Sequence, residues 1–114
     1  MNKVKVINIK NKKIIGDKID VATSLTARLK GLLGRNSLEN GEGLILDPCN
    51  AIHCIGMKFA IDVVFMDKGK KIIWIREDME PGSREAKKDA VYVLELPAGV
   101  IAQKGLEIGD TLKW

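Results

Sequence analysis

Cys49, His53, Cys54 and Asp62, together with Arg28 further upstream, are the residues of this chain that could carry chemistry. Residues 48–67 hold both cysteines, the single histidine and both phenylalanines. A histidine flanked by cysteines invites a zinc reading, but geometry opposes it. On an extended strand Cys49 and His53 share a face about 13 Å apart, while His53 and Cys54 point to opposite faces. Zinc ligands must converge to about 2.0–2.3 Å from one point, so no metal is expected unless the chain folds sharply near Asn50. A Cys49–Cys54 disulfide fails on the same spacing, because the Cα atoms must come within about 7 Å. Two free thiols are the expectation. A cysteine–histidine nucleophile needs the base within hydrogen-bond reach, which Cys49 and His53 attain only across a bend.

Asp62 is the anomaly. It interrupts the apolar run Ile61-Asp62-Val63-Val64-Phe65-Met66, and a buried carboxylate must find donors. One reading makes it a structural aspartate that accepts backbone or arginine hydrogen bonds. The other makes it the anchor of a site, held by Arg28 or His53 with backbone amides near Gly56 and Met57, since arginine donates two parallel bonds to a carboxylate. The candidate ligand-binding set is therefore His53, Gly56, Met57, Asp62 and Arg28.

The elements that position these residues follow from hydrophobic patterning. Residues 59–66 are β-branched and aromatic and read as a central strand buried on both faces. One face carries Phe59, Ile61, Val63 and Phe65, and the other Lys58, Ala60, Asp62, Val64 and Met66. A turn at Asp67-Lys68-Gly69-Lys70 returns the chain into a partner strand at 71–76. Further strands are expected at 4–9, 13–15, 19–22, 44–46, 91–96 and 111–114. Leu25, Leu29, Leu32 and Leu33 fall at i, i+4, i+7 and i+8 and predict an amphipathic helix over roughly 24–33, capped by Thr23 or Ser24 and ended by Gly34. Arg28 borders its leucine stripe. Gly31 weakens that helix and marks a close approach of another part of the chain. A second short helix is expected at roughly 97–104. Residues 77–89 mix charges around Pro81-Gly82 without periodicity and read as a mobile loop.

The sum is a mainly β single domain spanning 1–114, a β-sandwich or partly open barrel of about eight short strands with one packed helix. Apolar residues make up 46% and charged residues 30% of the 114, the balance of an ordinary globular domain. No apolar run approaches the ~20 residues that cross a bilayer. The N-terminus lacks an uninterrupted hydrophobic segment, so no signal peptide is expected, and the cytoplasm is the expected compartment. The net charge of +4 is spread over short lysine clusters at turns. Without arginines or aromatics gathered on one face, this favours a solvated surface over a nucleic-acid surface.

Several motifs occur in a fixed order. They are Arg28 with Gly31-Leu32-Leu33, then Gly41-Glu42-Gly43-Leu44, Ile52-His53-Cys54-Ile55-Gly56-Met57 and Ile61-Asp62-Val63-Val64-Phe65-Met66-Asp67. Leu94-Glu95-Leu96-Pro97-Ala98-Gly99 follows, with Gly105 and Gly109-Asp110. In this order, over about 18–114, the chain resembles the family called domain of unknown function 192, also uncharacterised protein family 0127. The resemblance implies a compact, mainly β domain with a packed helix, found in bacteria and archaea, and no established activity. Cys54 stands where such sequences often carry threonine.

Three functions remain open at this level. The first is a module binding a small polar or anionic ligand near His53, Met57 and Asp62, with no cofactor. The second is a hydrolase-like enzyme with His53 as base. The third is a structural or protein-interaction domain.

Overall fold

The computed structural model describes residues 2–114. Its strands are β1 (Lys3–Asn8), β2 (Ile14–Ala22), β3 (Glu42–Leu46), β4 (Ala51–His53), β5 (Ile61–Met66), β6 (Ile72–Met79), β7 (Arg84–Ala86), β8 (Tyr92–Pro97) and β9 (Leu112–Lys113). Helix α1 (Leu25–Lys30) lies between β2 and β3, and helix α2 (Val100–Lys104) between β8 and β9.

Seven strands form one sheet in the order β6-β5-β8-β3-β2-β1-β9, and β4 pairs with β7 in a separate two-stranded sheet. The β5–β6 hairpin closes as its sequence requires. Asp67 Oδ1 accepts from Gly69 N and Lys71 N, an aspartate bonding its own turn. β8 lies on the other side of β5, so residues 61–66 are fully buried in the centre. All the sheet's pairings are antiparallel except β2 with β3, whose crossover carries α1. The sheet curls until its edges meet: Ile72 N donates to Asp110 O (2.8 Å) and Leu112 N to Lys70 O (3.0 Å). Of the two architectures expected, this is the partly open barrel.

Alternation along the strands divides the core in two. Val64, Met66, Leu94 and Leu96 fill the concave side together with Ile72 and Leu112 from its two meeting edges. Ile61, Val63, Phe65 and Val93 face outward, packed with Ile52 and Cys54 from the segment covering them and with Leu32 just after α1.

The structure departs from expectation in four places. The strand begins at Ile61, leaving Phe59 and Ala60 outside it. The pieces at 13–15 and 19–22 are one strand, β2, bent at the bulges in its pairing with β1. The stretch at 77–89 contains regular structure. It holds the end of β6 and all of β7, which Cys54 fastens through Cys54 N to Ser83 O and Gly82 N to Cys54 O. Finally, α1 is one short helix capped by Ser24, whose hydroxyl accepts from Ala27 N (3.1 Å), and it ends at Gly31 rather than Gly34. Leu25 and Leu29 are then 64% and 70% exposed, so the leucine stripe does not seal a core.

Candidate functional site

Asp62 is completely buried, yet it does not belong with the other candidate residues. Its Oδ1 accepts from Asp78 N (2.8 Å), and its Oδ2 accepts from Gly99 N (3.0 Å) and Ile101 N (2.9 Å). Neither Arg28, His53 nor the amides near Gly56 touches it. The donors explain the arrangement. Asp78 takes a φ of +51° at a bulge in β6 opposite Asp62, which frees its N–H from the ladder. Gly99, the N-cap of α2, has no side chain to satisfy the first amides of the helix. Asp62 supplies the missing cap from the neighbouring strand, and its charge suits the positive end of the helix. The bland alternative, a structural aspartate, is the one the geometry supports.

A second buried acid lies on the opposite face of the sheet. Glu95 sits on β8 opposite Leu44 on one side and Val63 on the other, and it is 5% exposed. Its carboxylate accepts no hydrogen bond and forms no ion pair among the described residues. Burial alone pushes its pKa up to about 7.

Glu95 forms the floor of a pocket of about 130 Å³. The turn after α1 makes one wall, with Gly31 and Leu33, and the segment through β4 makes the other, with Cys49, His53, Cys54 and Met57. A methyl group placed on Gly31 would lie 4.0 Å from Glu95 Oε1, so the chain passes directly over the acid. Gly31 has a φ of +51°, which a residue with a side chain rarely adopts.

Arg28 also lines the pocket. Nη1 donates to Pro48 O (3.1 Å), and Nε is buried without a partner among the described residues. The Cys49 thiol donates to Ala51 O (3.1 Å). Burial pushes the Cys49 and Cys54 thiols above their ordinary pKa, and the nearby Glu95 carboxylate pushes the same way. Both are free thiols, and neither is an activated nucleophile, because the thiolate is the reactive form. His53 Nδ1 accepts from Ile55 N (3.3 Å), which leaves the proton of the neutral ring on Nε2. A base needs that lone pair free, so this imidazole is set to donate rather than to abstract. Among the described residues no three His, Cys, Asp or Glu side chains are grouped to hold a metal ion.

Of the residues expected from sequence, Arg28, His53 and Met57 therefore line one pocket. Gly56 does not line it. With φ +82° it closes the turn in which Met57 N donates to Cys54 O (3.1 Å), so it positions Met57. Asp62 lies on the concave face. Glu95 was missed, although the argument that singled out Asp62 applies to it equally: an acid between Leu94 and Leu96 in a strand-forming run.

Comparison with known proteins agrees with this architecture. A UPF0127 protein of Thermococcus sibiricus is 28% identical over 113 residues, covering 96% of this chain and 73% of its own. A UPF0127 protein of Pyrococcus abyssi is 31% identical over 103 residues, covering 85% and 86%. A solved structure of a protein of unknown function from Novosphingobium aromaticivorans superposes with a TM-score of 0.83 at 20% identity, covering 96% of this chain and 82% of that one, which is a likeness of fold. The sequence profile of DUF192, described as uncharacterized ACR, matches residues 5–114, a longer stretch than the motifs alone outline, and the chain belongs to that family.

Proposed function

We propose that this protein is a small-ligand-binding domain whose site is the pocket over Glu95, with Arg28, His53 and Met57 in its walls. The carrying observation is the Glu95 carboxylate, on a residue only 5% exposed, which lines the pocket and accepts no hydrogen bond from the described residues. Buried polar groups are nearly always hydrogen-bonded, and an exception calls for an explanation. A structural acid would be satisfied as Asp62 is, by amides placed for it. Glu95 has no such amides, because the backbone around it is engaged in the ladders to β3 and β5. Its open side faces the pocket, where a ligand can supply the donors.

The dimensions support a small occupant. A volume of about 130 Å³ approaches that of a cavity of about 150 Å³ that accepts benzene, so the ligand has roughly six heavy atoms. The walls contributed by Leu32, Leu33, Leu46 and Met57 are apolar and suit a hydrocarbon portion of a ligand. The hydrolase-like alternative receives less support, since His53 presents a proton rather than a lone pair and both thiols are held protonated.

The test is an amide-resolved NMR screen of polar fragments of about this size. Shifts gathered at residues 31–33, 49–54 and 95 are expected. Fragments that shift only scattered surface amides, with none gathering around Glu95, would refute the reading.

A further inference from the structure

The proposal that follows rests on the binding reading above and names the chemical class of the ligand. We propose that the group bound against Glu95 is a nitrogen cation, a primary ammonium or an amidinium on a short apolar stem. Four observations carry this. A carboxylate is acceptor-only, and the Glu95 carboxylate, which lines the pocket, accepts no hydrogen bond from the described residues. The side chains beside it are Leu44 and Val63, which have nothing to donate.

None of the protein's own cations pairs with Glu95 among the described residues: Arg28 lines the pocket but gives Nη1 to Pro48 O, Arg76 is paired with Glu85, and Lys30 is exposed. The wall opposite the acid is apolar and suits a hydrocarbon stem. An anionic ligand would set like charges together on a buried floor. A neutral donor would leave the carboxylate charge uncompensated in an apolar surround. A cation with several N–H groups satisfies both oxygens through charge-assisted bonds.

Such binding is linked to protons. The charged and titratable groups facing Glu95 are Arg28 and Lys30 from α1, with Cys49, His53 and Cys54 from the covering segment. Arg76, from β6, acts on Cys54. Burial keeps both thiols neutral near neutrality, so Glu95 dominates the pH response. The cation binds the ionised carboxylate. Affinity rises about tenfold from pH 6 to pH 8 as a group titrating near 7 gives up its proton.

The experiment titrates ¹⁵N-labelled protein with n-propylammonium, acetamidinium, propionate and n-propanol at both pH values. In wild type the two cations are expected to shift the amides of Gly31, Leu32, Cys54 and Glu95, more tightly at pH 8. The Glu95→Gln variant keeps the shape and removes the charge, and it should lose this binding. In wild type, the carboxyl ¹³C titration of Glu95 should move down by more than one pH unit when the cation is saturating, a measurement that needs no variant. Propionate or propanol binding at these amides, equally in Glu95→Gln, would overturn the cation class while leaving the pocket as a binding site. If no probe moves these amides, both the cation and the binding reading fall. A Glu95 pKa below 5 in the free protein would show an internal partner and overturn the proposal directly.

Discussion

Replacing Asp62 should be among the most damaging single changes on the concave face of the sheet. Asp62→Ala strands three backbone donors, Asp78 N, Gly99 N and Ile101 N, which lie 2.8–3.0 Å from the carboxylate. A buried donor left without a partner is worth about 1–3 kcal/mol, so the gross loss is roughly 3–9 kcal/mol. The start of α2 can tilt outward and let water reach its first amides, which lowers the expected net loss to about 3–5 kcal/mol. Asp62→Asn keeps one oxygen. It still accepts either from Asp78 or from the helix, but its NH₂ group then opposes the remaining donors, and about 1.5–3 kcal/mol should be lost. Domains of this size are stable by about 5–15 kcal/mol in total, so the alanine variant approaches marginal stability.

Urea unfolding followed by circular dichroism measures this, and the midpoint should fall with an unchanged slope. A double-mutant cycle with Arg28→Ala adds a sharper criterion. The two sites share no partner, so their effects should add within about 0.5 kcal/mol. If both Asp62 variants stay within about 0.5 kcal/mol of wild type, the three hydrogen bonds do not hold the structure. If Asp62 and Arg28 couple strongly instead, the arginine-anchored arrangement expected from sequence is the correct one.

Three further outcomes are expected. Glu95, raised from 4.5 to about 7, holds its proton more tightly in the folded state, so stability should fall by about 3 kcal/mol as pH rises from 4.5 to 7. Thermal melts across that range should show the fall in wild type, and its persistence in Glu95→Gln would refute the assignment. Brief iodoacetamide treatment of the native protein, read by peptide mass spectrometry, should label Cys49 slowly and Cys54 more slowly still, because Cys54 is fully buried and both thiols are held protonated. Equal rates would contradict this packing. Gly43→Ala should lower stability by about 1–3 kcal/mol, since its Cβ would come within 2.7 Å of Glu95 O and 2.8 Å of Ile19 Cδ1. An unchanged unfolding midpoint would show that β2, β3 and β8 are less closely packed than described.

Much of the fold was legible because strands advertise themselves locally. The β-branched run ending at Met66, the Asp67–Lys70 turn and the return through Trp74 determine a hairpin by neighbouring residues alone. The parallel pairing of β2 with β3 was not legible, since it joins segments separated by α1 and depends on how the sheet curls. The strand structure at 77–89 was hidden for a similar reason. β7 is three residues long and is held by β4 and by the Cys54 backbone, which carry no periodicity. Asp62 shows the limit most clearly. Its burial was readable from the apolar run around it, but its partners are backbone amides, and a backbone donor has no side-chain signature to read. Arg28 and His53 looked better suited to Asp62 only because their side chains can be seen in a sequence.

No described helix is long and apolar enough to cross a membrane, and the exposure of Leu25 and Leu29 has a more local origin. A helix running to residue 33 would have laid its leucine stripe along the outer core and covered Glu95 with side chains. Instead the helix stops at Gly31, whose φ of +51° turns the backbone over the acid with no Cβ between them. Only Leu32 is then fully delivered to the core, Leu33 reaches over toward Gly56, and Leu29 is left at the rim. The glycine that looked like a flaw in a helix is thus the residue that keeps space open above a buried carboxylate. An alanine there would be strained by its backbone more than by crowding, since its nearest neighbours would lie 3.9–4.0 Å away. Gly31→Ala should therefore disturb the pocket by shifting the turn, and the resonances of Glu95 and Cys54 should move together with those of residues 31–33. If they stay in place while only α1 changes, the turn does not shape the pocket, and the space above Glu95 is held open by the segment through β4 alone.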